Sequence, residues 1–141
     1  MSVYLDASVI LPMIVEEPAT AGVDAFFGTE TSTPIVSEFA AAEVYSAVSR
    51  LSRTGELDLK TALASLADFD AWRAAEAKLI DVEGADVRVA GLMVRRFELK
   101  LRAPDALHLA ICRRLDALLI TRDRRLARAA ASLDIEATLL P

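Results

Sequence analysis

Residues 101–130, LRAPDALHLAICRRLDALLITRDRRLARAA, hold a helix, a strand and a second helix in one uninterrupted run. Pro104 suits the first turn of a helix, and the apolar residues that follow it predict a helix over residues 104–116. Residues 117–121 are the clearest strand in the chain, because they form a short apolar run between polar flanks. A second helix is predicted over residues 123–132. This order is typical of a sheet whose strands are linked by helices.

The rest of the chain repeats this alternation. The other predicted strands are residues 3–6, 33–36, 79–82 and 137–140. The other predicted helices are residues 8–15, 19–27, 38–54, 59–76 and 86–100. Short apolar strands that alternate with helices predict βαβ crossovers, and therefore an α/β fold with a mainly parallel sheet covered on both faces. The chain has no repeat or linker, so its 141 residues predict one domain over residues 1–141.

Local signals place the helix ends and the buried faces. Gly28 and Gly55 are predicted to end the helices at 19–27 and 38–54, and Ser37 is predicted to cap the second of these. The helices at 59–76 and 86–100 are predicted to carry their large apolar residues on one face: Leu63, Leu66, Phe69, Ala71 and Trp72 in the first, and Val89, Leu92, Met93 and Phe97 in the second.

The composition excludes several classes of protein. Hydrophobic residues make up 54% of the chain and charged residues 26%, which excludes a disordered acidic chain. So apolar a small domain is also expected to have some of its surface covered by a partner. The apolar stretch at residues 9–15 is interrupted by Pro12 and is too short to span a membrane. No secretory signal is evident, and the single Cys112 is predicted to be a core residue, so we expect a cytoplasmic protein.

The charges are distributed unevenly along the chain. The net charge is −5, but residues 1–94 carry 15 acidic and 6 basic side chains, whereas residues 95–128 carry 4 acidic and 10 basic ones. The basic C-terminal third either contacts a phosphate backbone or forms solvated helix faces. The arginines that would contact phosphates are Arg95, Arg96, Arg102, Arg113, Arg122, Arg124, Arg125 and Arg128.

Four acidic residues occupy positions that also have ordinary structural explanations. Asp6 and Asp123 each follow a predicted strand and are competent N-caps. Asp105 lies in the first turn of its helix, where an acid complements the helix dipole. Glu43 has no basic residue three or four positions away that would pair with it, and its alternative role is an exposed polar position. His108, the only histidine, either pairs with Asp105 or is a polar member of a helix face, and we favour the second.

Considered together, the four acids indicate a metal site. Asp6 and Asp123 follow strands and are expected at the carboxyl edge of the sheet, where ligands bind in α/β folds. Two carboxylates 4 Å apart repel each other by about 4 kcal/mol at an effective dielectric constant near 20. A cluster of such groups needs a cation, and oxygen ligands without clustered cysteine or histidine suit Mg²⁺ or Mn²⁺. The Thr121 hydroxyl is expected near the same place.

Four segments carry a family resemblance: YLDASVI, AAEVYSAVSR, LRAPDALHLA and LLITRDRRLARAA. In order and spacing they resemble the acidic motifs of the PIN domain, and specifically of the VapC toxins of toxin–antitoxin pairs, over residues 3–132. The resemblance implies an α/β/α sandwich and an Mg²⁺- or Mn²⁺-dependent ribonuclease that cuts single-stranded or looped RNA. It also implies a homodimer, and a cognate VapB-like antitoxin that inserts into the active groove.

The resemblance also implies roles for individual residues. Asp6, Glu43, Asp105 and Asp123 become the acidic site. Asp6 and Asp105 are the direct metal ligands, whereas Glu43 and Asp123 act through water or a second ion. Ser8 and Thr121 support the site.

Three alternative functions are considered beside the nuclease. A phosphoacceptor signalling domain similar to a response-regulator receiver needs a lysine at the end of its last core strand, and Lys60, Lys78 and Lys100 all lie elsewhere. A phosphatase similar to the haloacid dehalogenases needs a second aspartate two residues after the first, where Ser8 stands instead. A non-catalytic partner-binding module is compatible with the apolar composition.

Overall fold

The computed structural model describes all residues from 1 to 141. The strands are β1 (Val3–Leu5), β2 (Pro34–Ser37), β3 (Lys78–Ile80), β4 (Leu118–Thr121) and β5 (Ala137–Leu139). The helices are α1 (Ala7–Ile14), α2 (Thr20–Thr29), α3 (Glu38–Arg53), α4 (Leu59–Glu76), α5 (Gly84–Val94), α6 (Ala103–Leu115) and α7 (Arg124–Ser132), with a single 3₁₀ turn at Phe97–Leu99. None of these helices combines the length and the apolar character that crossing a lipid bilayer requires.

The five strands form one parallel sheet in the order β3-β2-β1-β4-β5. The chain first builds outward from β1 through β2 to β3, and then returns to the other side of β1 to add β4 and β5. β1 and β4 are therefore neighbours at the point where the winding direction changes, with Leu5 paired to Ile120. Ligands of open α/β sheets bind at this kind of position, outside the carboxyl ends of the strands.

Side-chain alternation along the strands creates a core on each face of the sheet. Tyr4 and Leu119 pack into a core with α5, α6 and α7. Val3, Leu5 and Ile120 pack into a second core with α1 to α4. The helices therefore cover both faces of the sheet, which confirms the predicted α/β/α sandwich. Cys112 is a buried free cysteine in the first core, as its apolar neighbours predicted.

Helix α3 begins and ends as predicted, whereas α2 does not end at Gly28. Ser37 Oγ accepts a hydrogen bond of 3.0 Å from the Ala40 N–H, and Gly55 follows the helix with a φ of 78°. Helix α2 continues through Gly28 to Thr29, because the N–H of Glu30 still bonds the Phe26 carbonyl. The prediction that Gly28 ends this helix was wrong.

The helix predicted over residues 86–100 is also different in the structure. Helix α5 begins earlier, where the Asp86 carboxylate accepts a 2.9 Å hydrogen bond from the Glu83 N–H, and it ends at Val94. Lys100 adopts a left-handed conformation with a φ of 54° before α6 begins. The short turn between the helices directs Leu99 into the core and leaves Phe97 85% exposed.

Three further apolar residues that were assigned to buried faces are exposed: Leu63, Ala71 and Leu92. Leu63 is 60% exposed because α4 instead buries a row of smaller residues that includes Ala62 and Ser65. Leu92 on α5 is 63% exposed, although Met93 beside it is buried. The periodicity of the sequence found the right helices here, but it assigned these side chains to the wrong face. The exposed apolar residues agree with the expectation that a partner covers part of the surface.

An ion pair between the buried Asp86 and the exposed Arg114 joins α5 to α6. Arg114 makes two parallel hydrogen bonds to Asp86, of 2.8 and 2.9 Å, and a third of 3.0 Å to the carbonyl of Asp81. Burial by itself raises the pKa of Asp86, but the hydrogen bonds from Arg114 and from the Glu83 N–H, together with the positive charge of Arg114, leave that pKa below its usual value of 3.8. The ionised carboxylate therefore stabilises the fold above about pH 4, and this stabilisation is lost as the pH falls through the lowered pKa.

We predict that Arg114→Met lowers the free energy of unfolding by about 3 kcal/mol, because it leaves the buried charge of Asp86 without an oppositely charged partner. Urea unfolding at pH 7 measures the change. Arg96→Met, which breaks an exposed pair with Glu98, is the control and is expected to change stability by less than about 1 kcal/mol. Equal effects of the two substitutions would contradict the prediction.

Candidate metal centre

Asp6 directly follows β1 and is buried, with 4% of its surface exposed. It occupies the N-cap position of α1, but its side chain makes no capping hydrogen bond. Its two carboxylate oxygens instead accept hydrogen bonds of 2.6 Å from the hydroxyls of Ser8 and Thr121. Burial raises the pKa of Asp6, and these two hydrogen bonds partly oppose the rise. The structure therefore excludes the capping role that was open for Asp6.

The two hydroxyls that hold Asp6 also bind the segment that follows β4. Ser8 Oγ accepts a 2.9 Å hydrogen bond from the N–H of Arg122, and Thr121 Oγ1 accepts one of 3.0 Å from the N–H of Asp123. The ends of β1 and β4 are thereby fixed to each other. Asp6 consequently has a defined position relative to the start of α7.

Glu43 projects from the second turn of α3 and is hydrogen-bonded to the Nε2 of His108. His108 lies on α6 and is only 3% exposed, and its Nδ1 is 2.7 Å from the hydroxyl of Tyr4. The interpretation that His108 pairs with Asp105 was wrong. His108 is instead a polar member of a helix face, and that face is buried. The reason is that α6 directs this side chain toward the sheet, where it is hydrogen-bonded to Tyr4 of β1 and to Glu43 of α3.

Asp105 and Asp123 each begin a helix, as the structural explanations for them predicted. Asp105 Oδ2 lies 3.4 Å from the N–H of Arg102 and 3.6 Å from its Nε. Asp123 Oδ1 accepts hydrogen bonds from the N–H groups of Arg125 and Leu126. In each case only one carboxylate oxygen has a protein partner, so capping leaves the other oxygen free.

All four acids line a single depression of about 170 Å³ at the carboxyl edge of β1 and β4. They arrive from four separate segments of the chain. Ser8, Arg102 and His108 also line the depression. Thr121 does not line it, but holds Asp6 through its hydroxyl. The convergence of four carboxylates is the central feature of the site.

The chemistry of these side chains fits a hard divalent cation. Glu43, Asp105 and Asp123 each keep one carboxylate oxygen without a protein donor, and carboxylate oxygens are preferred ligands of Mg²⁺. No three histidine, cysteine or acidic side chains lie close enough together to share one ion. Because Mg²⁺ keeps several waters and needs only one or two carboxylates, these residues suit it better than an ion that requires a complete protein cage.

A family model for the PIN domain matches residues 3–132 of the chain. The chain belongs to the PIN-domain family. The match includes all four acids that line the depression. No curated protein sequence matches this PIN domain significantly.

Solved structures resemble the PIN domain described here throughout its length. VapC20 of Mycobacterium tuberculosis, described as a toxin that cleaves the sarcin-ricin loop, is 16% identical, covers 90% of this chain and 94% of its own, and has a TM-score of 0.73. VapBC2 of Rickettsia felis, bound to a promoter DNA fragment, is 16% identical with full coverage of both chains and a TM-score of 0.75. DNA-bound VapBC of Salmonella typhimurium is 15% identical, covers 98% and 97%, and has a TM-score of 0.72. At these identities the likeness shows the fold.

Three buried residues that connect to Glu43 through hydrogen bonds were not assigned to the site from the sequence: Tyr4, Ser37 and His108. Two of them carried a signal. Tyr4 is the one polar side chain inside the strand VYL, and Ser37 ends a strand immediately before the helix that bears Glu43. A polar group in a fully buried strand needs a hydrogen-bond partner, which is a reason to search for one.

Proposed function

We propose that this PIN domain is an endoribonuclease that hydrolyses RNA phosphodiester bonds with Mg²⁺ or Mn²⁺ and is neutralised by a cognate VapB-like antitoxin. The observation that carries the proposal is the convergence of Asp6, Glu43, Asp105 and Asp123 on one depression at the switch point of the sheet. The description of the similar VapC20 as a toxin that cleaves the sarcin-ricin loop supports a toxin with cleaving activity.

In this proposal Asp6 and Asp105 are the direct ligands, and Glu43 and Asp123 act through water or a second ion. A bound Mg²⁺ or Mn²⁺ supplies activation of water and stabilisation of charge at phosphorus. The residues of the chain orient this chemistry. Ser8 and Thr121 hold both oxygens of Asp6, and the backbone of α7 holds one oxygen of Asp123.

The phosphoacceptor alternative lacks a cation in the right place. No lysine lines the acidic depression, and the one arginine that does, Arg102, lies beside Asp105. Lys78 is at the start of β3, the opposite end from the acids, and Lys100 lies in the turn before α6. A partner-binding module remains the second hypothesis, and RNA cleavage by the isolated chain separates it from the nuclease.

Some of the arginines predicted to contact phosphates are bonded to other groups of the protein, and others have no ion-pair partner. Arg113 bonds the carbonyl of Leu133 and Arg122 bonds that of Pro141, so both are engaged in internal contacts. By contrast, three cations without an ion-pair partner line a second depression of about 200 Å³: Lys100, Arg125 and Arg128. The segments that border this basic depression also border the acidic one, through Arg102 and Leu126. We propose that RNA phosphates cross from one depression to the other.

We predict that the double variant Arg125→Gln/Arg128→Gln weakens RNA binding and flattens its salt dependence. Each lost phosphate contact is expected to reduce the slope of log affinity against log salt by about 0.7 for single-stranded RNA. Filter binding to an RNA oligonucleotide at 50 to 200 mM salt, on an Asp6→Asn background that prevents cleavage, measures the slope.

The control for this charge effect is Arg50→Gln/Arg53→Gln, which removes the same charge from the exposed last turn of α3. A slope that is unchanged in the Arg125/Arg128 variant, or changed equally in both variants, would exclude the basic depression as the RNA path.

An apolar groove beside the acidic site is the surface that we assign to the antitoxin. It has a volume of about 370 Å³ and lies between α3, α5 and α6. Phe39 lines the groove and also packs against His108, with ring centroids 5.2 Å apart, and Pro104 lines it one residue before Asp105. An apolar antitoxin segment seated there would reach the acidic depression. The homodimer expected from the resemblance, and the cytoplasmic location, stay predictions.

The test of the proposed function is incubation of the purified chain, free of antitoxin, with an RNA substrate and Mg²⁺ or Mn²⁺. Discrete fragments from internal cleavage are expected. Intact RNA after incubation with chain that binds both the metal ion and RNA would reject the nuclease and favour the binding module.

A further inference from the structure

A chain of hydrogen bonds leaves α3 at its N-terminus and returns to it at Glu43. The N–H of Ala40 bonds Ser37 Oγ at 3.0 Å, and Ser37 Oγ lies 2.7 Å from the hydroxyl of Tyr4. That hydroxyl lies 2.7 Å from His108 Nδ1, and His108 Nε2 bonds Glu43. The path passes through β2, β1 and α6, so it fixes the helix that bears Glu43 to the centre of the sheet and to α6.

Only one direction of donation gives every hydrogen in this series of bonds an acceptor. Ser37 Oγ already accepts from the Ala40 N–H, and the Tyr4 oxygen is the partner that remains for its own hydrogen. Tyr4 therefore donates to Nδ1 of His108, which leaves the ring hydrogen on Nε2, directed at Glu43. Burial raises the pKa of Tyr4 well above its usual 10.0, so Tyr4 retains the hydrogen that it donates.

The opposite tautomer leaves two groups unsatisfied. With the hydrogen on Nδ1, Tyr4 accepts from His108 and donates to Ser37, and the hydrogen of the fully buried Ser37 hydroxyl then has no acceptor. The bare Nε2 would also face the carboxylate of Glu43, so two acceptors would oppose each other. Buried donors and acceptors without partners are strongly disfavoured.

The surroundings of His108 restrict its ring to this orientation. The imidazole contacts two tilted aromatic rings, with centroid separations of 5.7 Å to Tyr4 and 5.2 Å to Phe39. It is almost completely buried. A buried ring that contacts two other aromatic rings and is bonded through both nitrogens can set the position of the group that it binds.

We propose that His108 is a positioning residue, whose Nε2–H holds one oxygen of Glu43 so that the other is presented to the cation or its water, with Tyr4 and Ser37 fixing the tautomer. The inference rests on the proposed metal site. It assigns a role to three buried residues outside the four acids: Ser37, Tyr4 and His108. Groups that orient metal-binding side chains in this way commonly change metal affinity or activity by about 10- to 100-fold when they are removed.

The first test is the tautomer itself. Because His108 is the only histidine, selective ¹⁵N labelling gives one pair of ring nitrogen signals. With metal removed, we expect Nε2 to carry the hydrogen and Nδ1 to be bare, and we expect Tyr4→Phe to weaken this preference. A spectrum with the hydrogen on Nδ1, or with both nitrogens protonated, would overturn the proposal.

The second test is Mn²⁺ affinity, measured by titration calorimetry without RNA. His108→Leu is expected to bind Mn²⁺ about 10- to 100-fold more weakly than the wild type. His108→Gln, whose amide N–H₂ reaches the same oxygen of Glu43, is expected to recover most of the affinity. Thermal unfolding in EDTA verifies that each variant is folded. If the leucine variant does not fold, the Mn²⁺ affinities of the two single variants Tyr4→Phe and His108→Gln decide whether His108 positions Glu43.

The outcomes separate this inference from the proposed function. Wild-type chain that binds Mn²⁺ but leaves RNA intact would reject the nuclease and leave the positioning role standing if His108→Leu binds Mn²⁺ more weakly. Wild-type chain that cleaves RNA, beside a folded His108→Leu variant with unchanged Mn²⁺ affinity, would reject the positioning role alone. Wild-type chain that binds no Mn²⁺ would reject both.

Discussion

Asp6→Asn is expected to lower the rate of RNA cleavage by about 10³-fold, which corresponds to about 4 kcal/mol in activation free energy. Asp6 is the one acid of the four whose two oxygens are both held by hydroxyl groups, so it has the most defined position in the site. Asparagine keeps the shape of the side chain but removes its charge and one of its oxygens. Initial rates on an RNA oligonucleotide, and growth arrest on expression, measure the loss.

The fold is expected to tolerate this substitution. Because burial raises the pKa of Asp6, its ionised form destabilises the folded chain at neutral pH, and the neutral amide removes that effect. The melting temperature of Asp6→Asn in EDTA is therefore expected to be no lower than that of the wild type. A lower rate with an unchanged or raised melting temperature attributes the loss to the site.

The matched control is Asp58→Asn. Asp58 also precedes a helix, but it is exposed and its side chain accepts a hydrogen bond from the N–H of Thr61, which is ordinary capping. This variant is expected to retain full activity. Equal activity and equal toxicity of wild type and Asp6→Asn would remove the metal-nuclease interpretation.

The comparison of Asp6 with His108 shows what the sequence predicts and what it does not. Asp6 follows a short apolar strand, and in a parallel sheet that pattern alone places its side chain at the ligand-binding edge. His108 lies in a helix, where the sequence gives only a relative angle around the helix axis. Its partners, Tyr4 and Glu43, are 104 and 65 residues away in the chain. Only the packing of α6 on the sheet brings these residues together.

The helix ends show the same division. Ser37 and Gly55 act through local hydrogen bonds and backbone angles, and the structure confirms both predictions. The end of α5 depends instead on where Leu99 reaches the core, which is a tertiary contact without a local signal. For the same reason the exposed Leu63 and Leu92 were assigned to buried faces. Local chemistry is readable from the sequence, whereas a choice between two apolar faces is decided by the neighbouring elements.

Removal of divalent metal is expected to abolish cleavage and also to lower the stability of the chain. Glu43, Asp105 and Asp123 each have an oxygen without a protein partner in a depression of about 170 Å³, and negative charges that share a depression repel each other when no cation is bound. EDTA is expected to stop cleavage completely, and Mg²⁺ or Mn²⁺ in excess to restore it. Cleavage that continues undiminished in EDTA would reject metal dependence.

The melting temperature of the chain measures cation binding at the same site without RNA. A cation at 100 times its dissociation constant stabilises the folded state by about 2.7 kcal/mol, which raises the melting temperature of a chain of this size by several degrees. Wild type and Asp58→Asn are expected to show this rise with Mn²⁺, and Asp6→Asn to lose most of it. If all three chains show the same rise, the cation binds elsewhere, and the four acids do not form the metal site even if EDTA stops the reaction.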